Sequence, residues 1–270
     1  YDGYAQVSGA HPPGKEDPVS LEVMKLPVAA ITCSRSVSRT LEERGKPCRL
    51  VPWSLDGTRW QVRPPAPPGP RYRIAMVVDP VVPLKGFDDA AQALSQLRLP
   101  VTLVLVTRNL DWQPPKLDFP LEIHRQPELP QIPEILASCH ALCCSSWYEG
   151  LGLPALEAMA LGLPVVSTRN LGVQEYAQEE KNLLLADVGC SDQIAAQLER
   201  VLTQPALAQR LRQGGLDTVR VHLDPAVTAR AFVEACQQSQ WHTRPAGLDF
   251  SDLLARLRQA GHYLPAEWVQ

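Results

Sequence analysis

No stretch of this chain approaches the roughly 18 uninterrupted apolar residues that a membrane-spanning helix needs, and its first residues lack the pattern of a secretory signal. Charge of one sign is scarce too: 26 basic against 29 acidic residues leave a net charge of −3. The basic residues are dispersed, which argues against a nucleic-acid-binding surface. Seven cysteines, at 33, 48, 139, 143, 144, 190 and 236, make an odd count without disulfide-framework spacing, as in a reducing compartment. Cys139-His140-Ala141-Leu142-Cys143-Cys144 carries metal-ligand chemistry, but it reads as a helix end feeding a buried strand, where alternating side chains do not converge on one ion. No metal and no cofactor are expected. Neither is a Ser-His-Asp site, and His11, His222, His242 and His262 have no partner spacing. The expectation is a cytoplasmic protein, peripheral to a membrane at most.

What is present is regular alternation. Apolar runs predict strands at 28–33, 49–51, 73–78, 101–107, 121–124, 141–144, 165–167 and 183–185. Helical periodicity fills the gaps at 37–44, 87–97, 132–138, 154–161, 173–177, 192–203 and 207–214, with further helices from 224 to about 240 and at 251–260. Such alternation implies the α/β class: a parallel, Rossmann-like sheet with helices on both faces and ligands outside the carboxyl ends of its strands. Arg63-Pro64-Pro65-Ala66-Pro67-Pro68-Gly69-Pro70 reads as a semi-rigid linker. The expected organisation is therefore a partial N-terminal domain at 1–62, a linker at 63–72, a nucleotide-sugar-binding domain at 73–220 and a helical extension at 221–270.

The chemistry concentrates in Ser145-Ser146-Trp147-Tyr148-Glu149-Gly150-Leu151-Gly152-Leu153-Pro154-Ala155-Leu156-Glu157. Gly150 and Gly152 read as a backbone-exposing turn, Pro154 as a first-turn residue, and Gly162 as the end of the helix. Free N–H groups of Gly150, Leu151, Gly152 and Leu153 would favour phosphate, with Glu149 on the strand-side lip and Glu157 about one turn into the helix. Glu149 would then accept from a sugar and Glu157 from a ribose. Lys85-Gly86 before a helix suits an ammonium that meets phosphate as a point charge, although many such lysines are merely surface residues. Weaker candidates are Arg73 and Arg108 for a further phosphate cation and His124 for a nucleobase. Glu175 reads as a cap.

The same residues carry a resemblance. The Glu149–Glu157 element resembles the Glu-x7-Glu motif of retaining GT-B glycosyltransferases of the family 4-like group 1, and Leu161-Gly162-Leu163-Pro164-Val165-Val166-Ser167 is similar to the strand that follows it. Ile31-Thr32-Cys33-Ser34 and Val51-Pro52-Trp53-Ser54-Leu55-Asp56 resemble the strands ending that family's N-terminal domain, and Pro83-Leu84-Lys85-Gly86-Phe87 its Lys-Gly motif. Where the family has Gly-Arg, this chain has Asp79-Pro80, and Ile74-Ala75-Met76-Val77-Val78 is loosely similar to the rhamnosyltransferase branch. The resemblance implies the donor-binding half of a hexosyl- or deoxyhexosyltransferase, with Glu149 as the catalytic residue and Lys85, Gly150, Leu151, Gly152, Leu153 and Glu157 as nucleotide-sugar contacts. Its implied partners are a nucleotide-sugar donor, an acceptor glycan, lipid or small molecule, and most of an acceptor-side domain that a chain of 270 residues is too short to contain. A non-catalytic nucleotide- or partner-binding module, and an epimerase or phosphorylase on the same architecture, are the alternatives.

Overall fold

The computed structural model describes residues 30–238. They belong to two compact units, one spanning Trp53–Thr228 and the other drawn from the residues flanking it on both sides. In the flanking unit, β1 (Ala30–Thr32) pairs in parallel with β2 (Cys48–Leu50) through α1 (Arg35–Glu43). Ser34 starts that helix by accepting the Val37 amide on its hydroxyl at 3.2 Å, and Val37 and Leu41, one turn apart, are buried.

The larger unit is a six-stranded sheet built from β3 (Tyr72–Val77), β4 (Val101–Thr107), β5 (Leu121–Arg125), β6 (Ala141–Cys144), β7 (Val165–Thr168) and β8 (Leu184–Ala186). All neighbours are parallel and the spatial order is β5-β4-β3-β6-β7-β8. The order reverses between β3 and β6, which makes that boundary the topological switch point. Side-chain alternation divides each central strand between two cores. Ile74, Met76, Leu103 and Leu105 pack with α2 (Phe87–Gln96) and α5 (Ser191–Thr203). Ala75, Val104, Leu142 and Val165 pack with α3 (Gln131–Ala137) and α4 (Leu153–Leu161). Each fully buried Leu, Ile or Met contributes about 1.5–3 kcal/mol relative to exposure. Cys143 belongs to the first core, where burial pushes its thiol up to about 12.

Three expectations change. Residues 63–72 do not join the units: the boundary falls between Pro52 and Trp53, and the proline-rich stretch is held on the sheet unit. Arg63 N donates to Leu161 O at 3.0 Å, Arg212 donates to Arg63 O, and His140 Nε2 lies 3.3 Å from Pro67 O. Prolines lose a donor but keep their carbonyls, so the stretch is an acceptor surface. The expected helix at 173–177 is a single 3-10 turn, Val173–Glu175. Gly214 does not end a helix but lies inside α6 (Pro205–Val219). A Cβ there would stand 2.0 Å from Lys181 O, and one on Gly215 would stand 3.0 Å from Met159 Cγ, so both glycines serve close packing. The chain continues through α7 (Pro225–Gln238). The helix expected at 251–260, and His11, His242 and His262, lie outside the described residues. No helix among the described residues is long and apolar enough to cross a membrane.

Helix propensity alone would make Gly214→Ala stabilising by about 1 kcal/mol. The clash with Lys181 O reverses the sign, and a net loss of about 1–3 kcal/mol is expected from the shift of the urea midpoint. A midpoint that rises would show that the close approach does not exist in solution.

Candidate active site

The residues that follow β3 and β6 meet across the switch point. After β3 the chain makes a 3-10 turn at Pro83–Lys85 and enters α2 through Gly86, in the left-handed conformation at φ 67°. A Cβ on Gly86 would lie 2.1 Å from Ser145 O, so glycine is required by contact as well as by φ. Ser145 Oγ donates to Gly86 O at 2.7 Å and Trp147 N donates to Leu84 O at 2.8 Å. These bonds lock the Lys-Gly turn onto the loop after β6. Lys85 Nζ then reaches Glu149 Oε1 at 3.1 Å and Oε2 at 3.3 Å, with both side chains partly buried.

Beyond Glu149 the chain turns through Gly152, at φ 80°, into α4, with Pro154 in its first turn. The amides of Gly150, Leu151, Gly152 and Leu153 have no protein acceptor among the described residues. Open donors at the positive end of a helix, beside an ammonium, are the kind of chemistry that suits an anion. Glu157 lies within the same helix among buried Ala155, Leu156, Ala158 and Met159. Burial pushes its carboxyl up to about 7, against an opposing pull from Arg59. Cys144, at the end of β6, has its thiol raised well above the ordinary value, first by burial and then by Cys143, Glu149 and Glu157. It is therefore held in the neutral form at ordinary pH.

The weaker candidates lie elsewhere. Arg73, near the start of β3, forms a two-pronged pair with Glu122 at 2.7 and 3.0 Å and reaches Ser138 O at 3.2 Å. This pairing, ahead of other causes, holds the Glu122 carboxyl at about 2. His124 lies inside β5, two residues from Glu122 and on the same sheet face, with Nε2 2.7 Å from its carboxylate. Both side chains are thus engaged by Glu122. Arg108 is exposed after β4 without a side-chain partner among the described residues. Asp79, where the resemblance leads one to expect glycine, accepts from Asn109 Nδ2 at 3.2 Å and Val81 N at 3.3 Å. Sequence reasoning missed Asn170 and Tyr176 beneath the turn that follows Glu149, because their contacts depend on chain crossings and no local motif announces them.

A doubly wound sheet with this crevice at its switch point defines an α/β protein of the GT-B type. Residues 59–217 match the family model of glycosyl transferases group 1, and the chain belongs to that family. The MMP alpha-(1->4)-mannosyltransferase of Mycolicibacterium hassiacum is 32% identical over 180 residues, covering 62% of this chain and 42% of that protein. Sucrose-phosphate synthase from Thermosynechococcus elongatus aligns with a TM-score of 0.71 at 20% identity, over 86% of this chain and 65% of its own. HepE from Anabaena, solved with UDP-glucose, also aligns at 0.71, with 16% identity over 86% of this chain and 70% of its own. The two structures share the fold. The chain spans less than half the length of the mannosyltransferase.

The raised carboxyl of Glu157 makes a stability prediction that needs no ligand. A group protonated in the fold between 4.5 and about 7 contributes stability at the lower pH that is lost as pH rises through that window. Glu157→Gln, which remains neutral, should therefore become progressively more stable than the parent from pH 5 to pH 8 in urea titrations. A difference that does not vary with pH would place Glu157 in a solvated setting.

Proposed function

We propose that the crevice binds a nucleoside diphosphate sugar and that the whole protein transfers its glycosyl group to an acceptor hydroxyl with retention at the anomeric carbon. The observation that carries this reading is the juxtaposition of four open amides at the start of α4 with the Lys85–Glu149 pair. The amides and Lys85 take the diphosphate. Glu149 accepts from the sugar hydroxyls and Glu157 from the ribose. Charge grows on the diphosphate as it departs, and prearranged donors in a partly dehydrated crevice stabilise that charge more than water does. Lys85 and the amides supply the compensation from the protein itself, so the reading calls on no metal ion. The relatives support the choice of ligand: HepE was solved with UDP-glucose and also with UDP and glucose.

Asp79-Pro80 favours a second reading, a nucleotide-binding module without transfer. A carboxylate stands at the end of β3, and Arg73 is committed to Glu122, so the crevice has fewer cations than the family pattern implies. Release of free sugar or of a glycosylated acceptor from bound donor separates the two readings.

Calorimetry with uridine, guanosine, adenosine and deoxythymidine diphosphates and their sugar conjugates tests the assignment. Lys85→Ala should weaken the diphosphate far more than the parent nucleoside, by about 1.5–3 kcal/mol, with the difference shrinking as salt rises. A loss shared equally by nucleoside and diphosphate would instead indicate damage to the fold. Glu149→Ala should spare the diphosphate and weaken the sugar conjugate, whereas Glu157→Ala should weaken both. Equal losses for both ligands in both carboxylate variants would remove this division of labour.

A further inference from the structure

The four open amides keep their direction only while the turn beneath them is rigid, and the support comes from the segment after β7. A Cβ on Gly172 would lie 2.6 Å from Leu151 N and 2.7 Å from Glu149 O, so its bare Cα is pressed against the turn. Buried Asn170 accepts Val173 N at 3.0 Å and lies 3.2 Å from Thr168 Oγ1, while Thr168 donates to Ser146 O. This network also carries Tyr176. Its hydroxyl donates to Gly152 O at 3.1 Å, and a Cβ on Gly152 would meet that hydroxyl at 2.9 Å and Val173 Cγ2 at 3.0 Å.

Gly152 O and Leu153 N belong to one planar peptide unit, in which a trans C=O and N–H point in opposite directions. Anchoring the oxygen therefore aims the amide. Gly152 itself resists little rotation, because glycine is permissive about the backbone dihedral angles that set the plane of the unit. The same oxygen accepts Ala155 N at 3.1 Å and Leu156 N at 3.4 Å, so the phenol is tied to the first turn of α4. Burial, with Cys144 and Glu149 adding to it, raises the phenol well above its ordinary value, which keeps the hydroxyl a donor.

We propose that Tyr176 is a positioning residue for the diphosphate: it touches no ligand, but by holding Gly152 O it directs the Leu153 N–H at the anion. This rests on the reading of the crevice as a nucleoside diphosphate site. The test uses whichever of UDP, GDP, ADP and dTDP the parent chain binds most tightly, together with the matching nucleoside. Tyr176→Phe should weaken the diphosphate about 3- to 10-fold, the range of one neutral hydrogen bond, and leave the nucleoside within about twofold. Asn182→Ala is the control, since Asn182 Nδ2 holds Tyr176 O at 2.8 Å without touching Gly152. It should lower the melting temperature and leave the ratio of diphosphate to nucleoside affinity unchanged.

A parent chain that binds diphosphate with a Tyr176→Phe variant that binds it equally well overturns the role of Tyr176 and leaves the site reading intact. Equal losses for nucleoside and diphosphate also overturn it. A parent chain that binds no diphosphate overturns both. The Leu153 amide nitrogen resonance of the parent chain supplies a measurement that needs no variant: diphosphate should shift it strongly, and an unmoved resonance in a chain that binds diphosphate overturns the proposal.

Discussion

β3 and β6 pair through Ile74↔Ala141 and Ala75↔Leu142, and beyond that register the two strands part into the crevice that Lys85 and Glu149 bridge. Parallel strands at a point of order reversal send their following loops to opposite faces, so a gap opens at their carboxyl ends. Here the gap is narrowed from one side. The Lys-Gly turn is pressed so closely onto Ser145 that Gly86 cannot carry a side chain, and the bonds of Ser145 Oγ and Trp147 N fix it there. The position of the ammonium follows from these backbone contacts more than from its own flexible stem.

The electrostatics of the crevice rest on few charges. Lys85 faces Glu149, and Asp79 occupies the end of β3 with its carboxylate satisfied by Asn109 and Val81. Arg73, the nearest arginine in sequence on that strand, is drawn to Glu122 and Ser138. Under the proposed reading, the helix start and its open amides consequently carry a larger share of the diphosphate's charge. Such fixed dipoles need no reorganisation when charge develops, which suits them to the role.

α4 links the site to the core. Its residues are buried on nearly every side, it begins at left-handed Gly152 and ends at left-handed Gly162, where Arg212 donates to the carbonyl at 2.7 Å. That packing gives the turn after Glu149 a rigid base and at the same time removes water from Glu157. A carboxyl held near pH 7 costs stability when it ionises, a conflict typical of positions shaped for chemistry.

The local chain determined a great deal. Alternating apolar residues placed all six strands of the main sheet to within a residue or so, and Gly152, Pro154 and Gly162 framed α4, because periodicity and backbone preference act within a few residues. The turn at Gly150 to Leu153 after β6 and the Lys85-Gly86 turn ahead of α2 stood where the local chain and the family resemblance put them. Local signals failed where a residue answers to a distant one. Gly214 reads as a helix end until Lys181 O is found against it, and the proline-rich stretch reads as a linker until Leu161 and Arg212 are found holding it. His124 and Arg73 look available until Glu122 takes both. Tertiary structure alone decided the strand order, the Lys85–Glu149 pair and the seat of Tyr176 beneath Gly152, since each depends on segments remote in sequence that packing of the two cores brings within bonding distance.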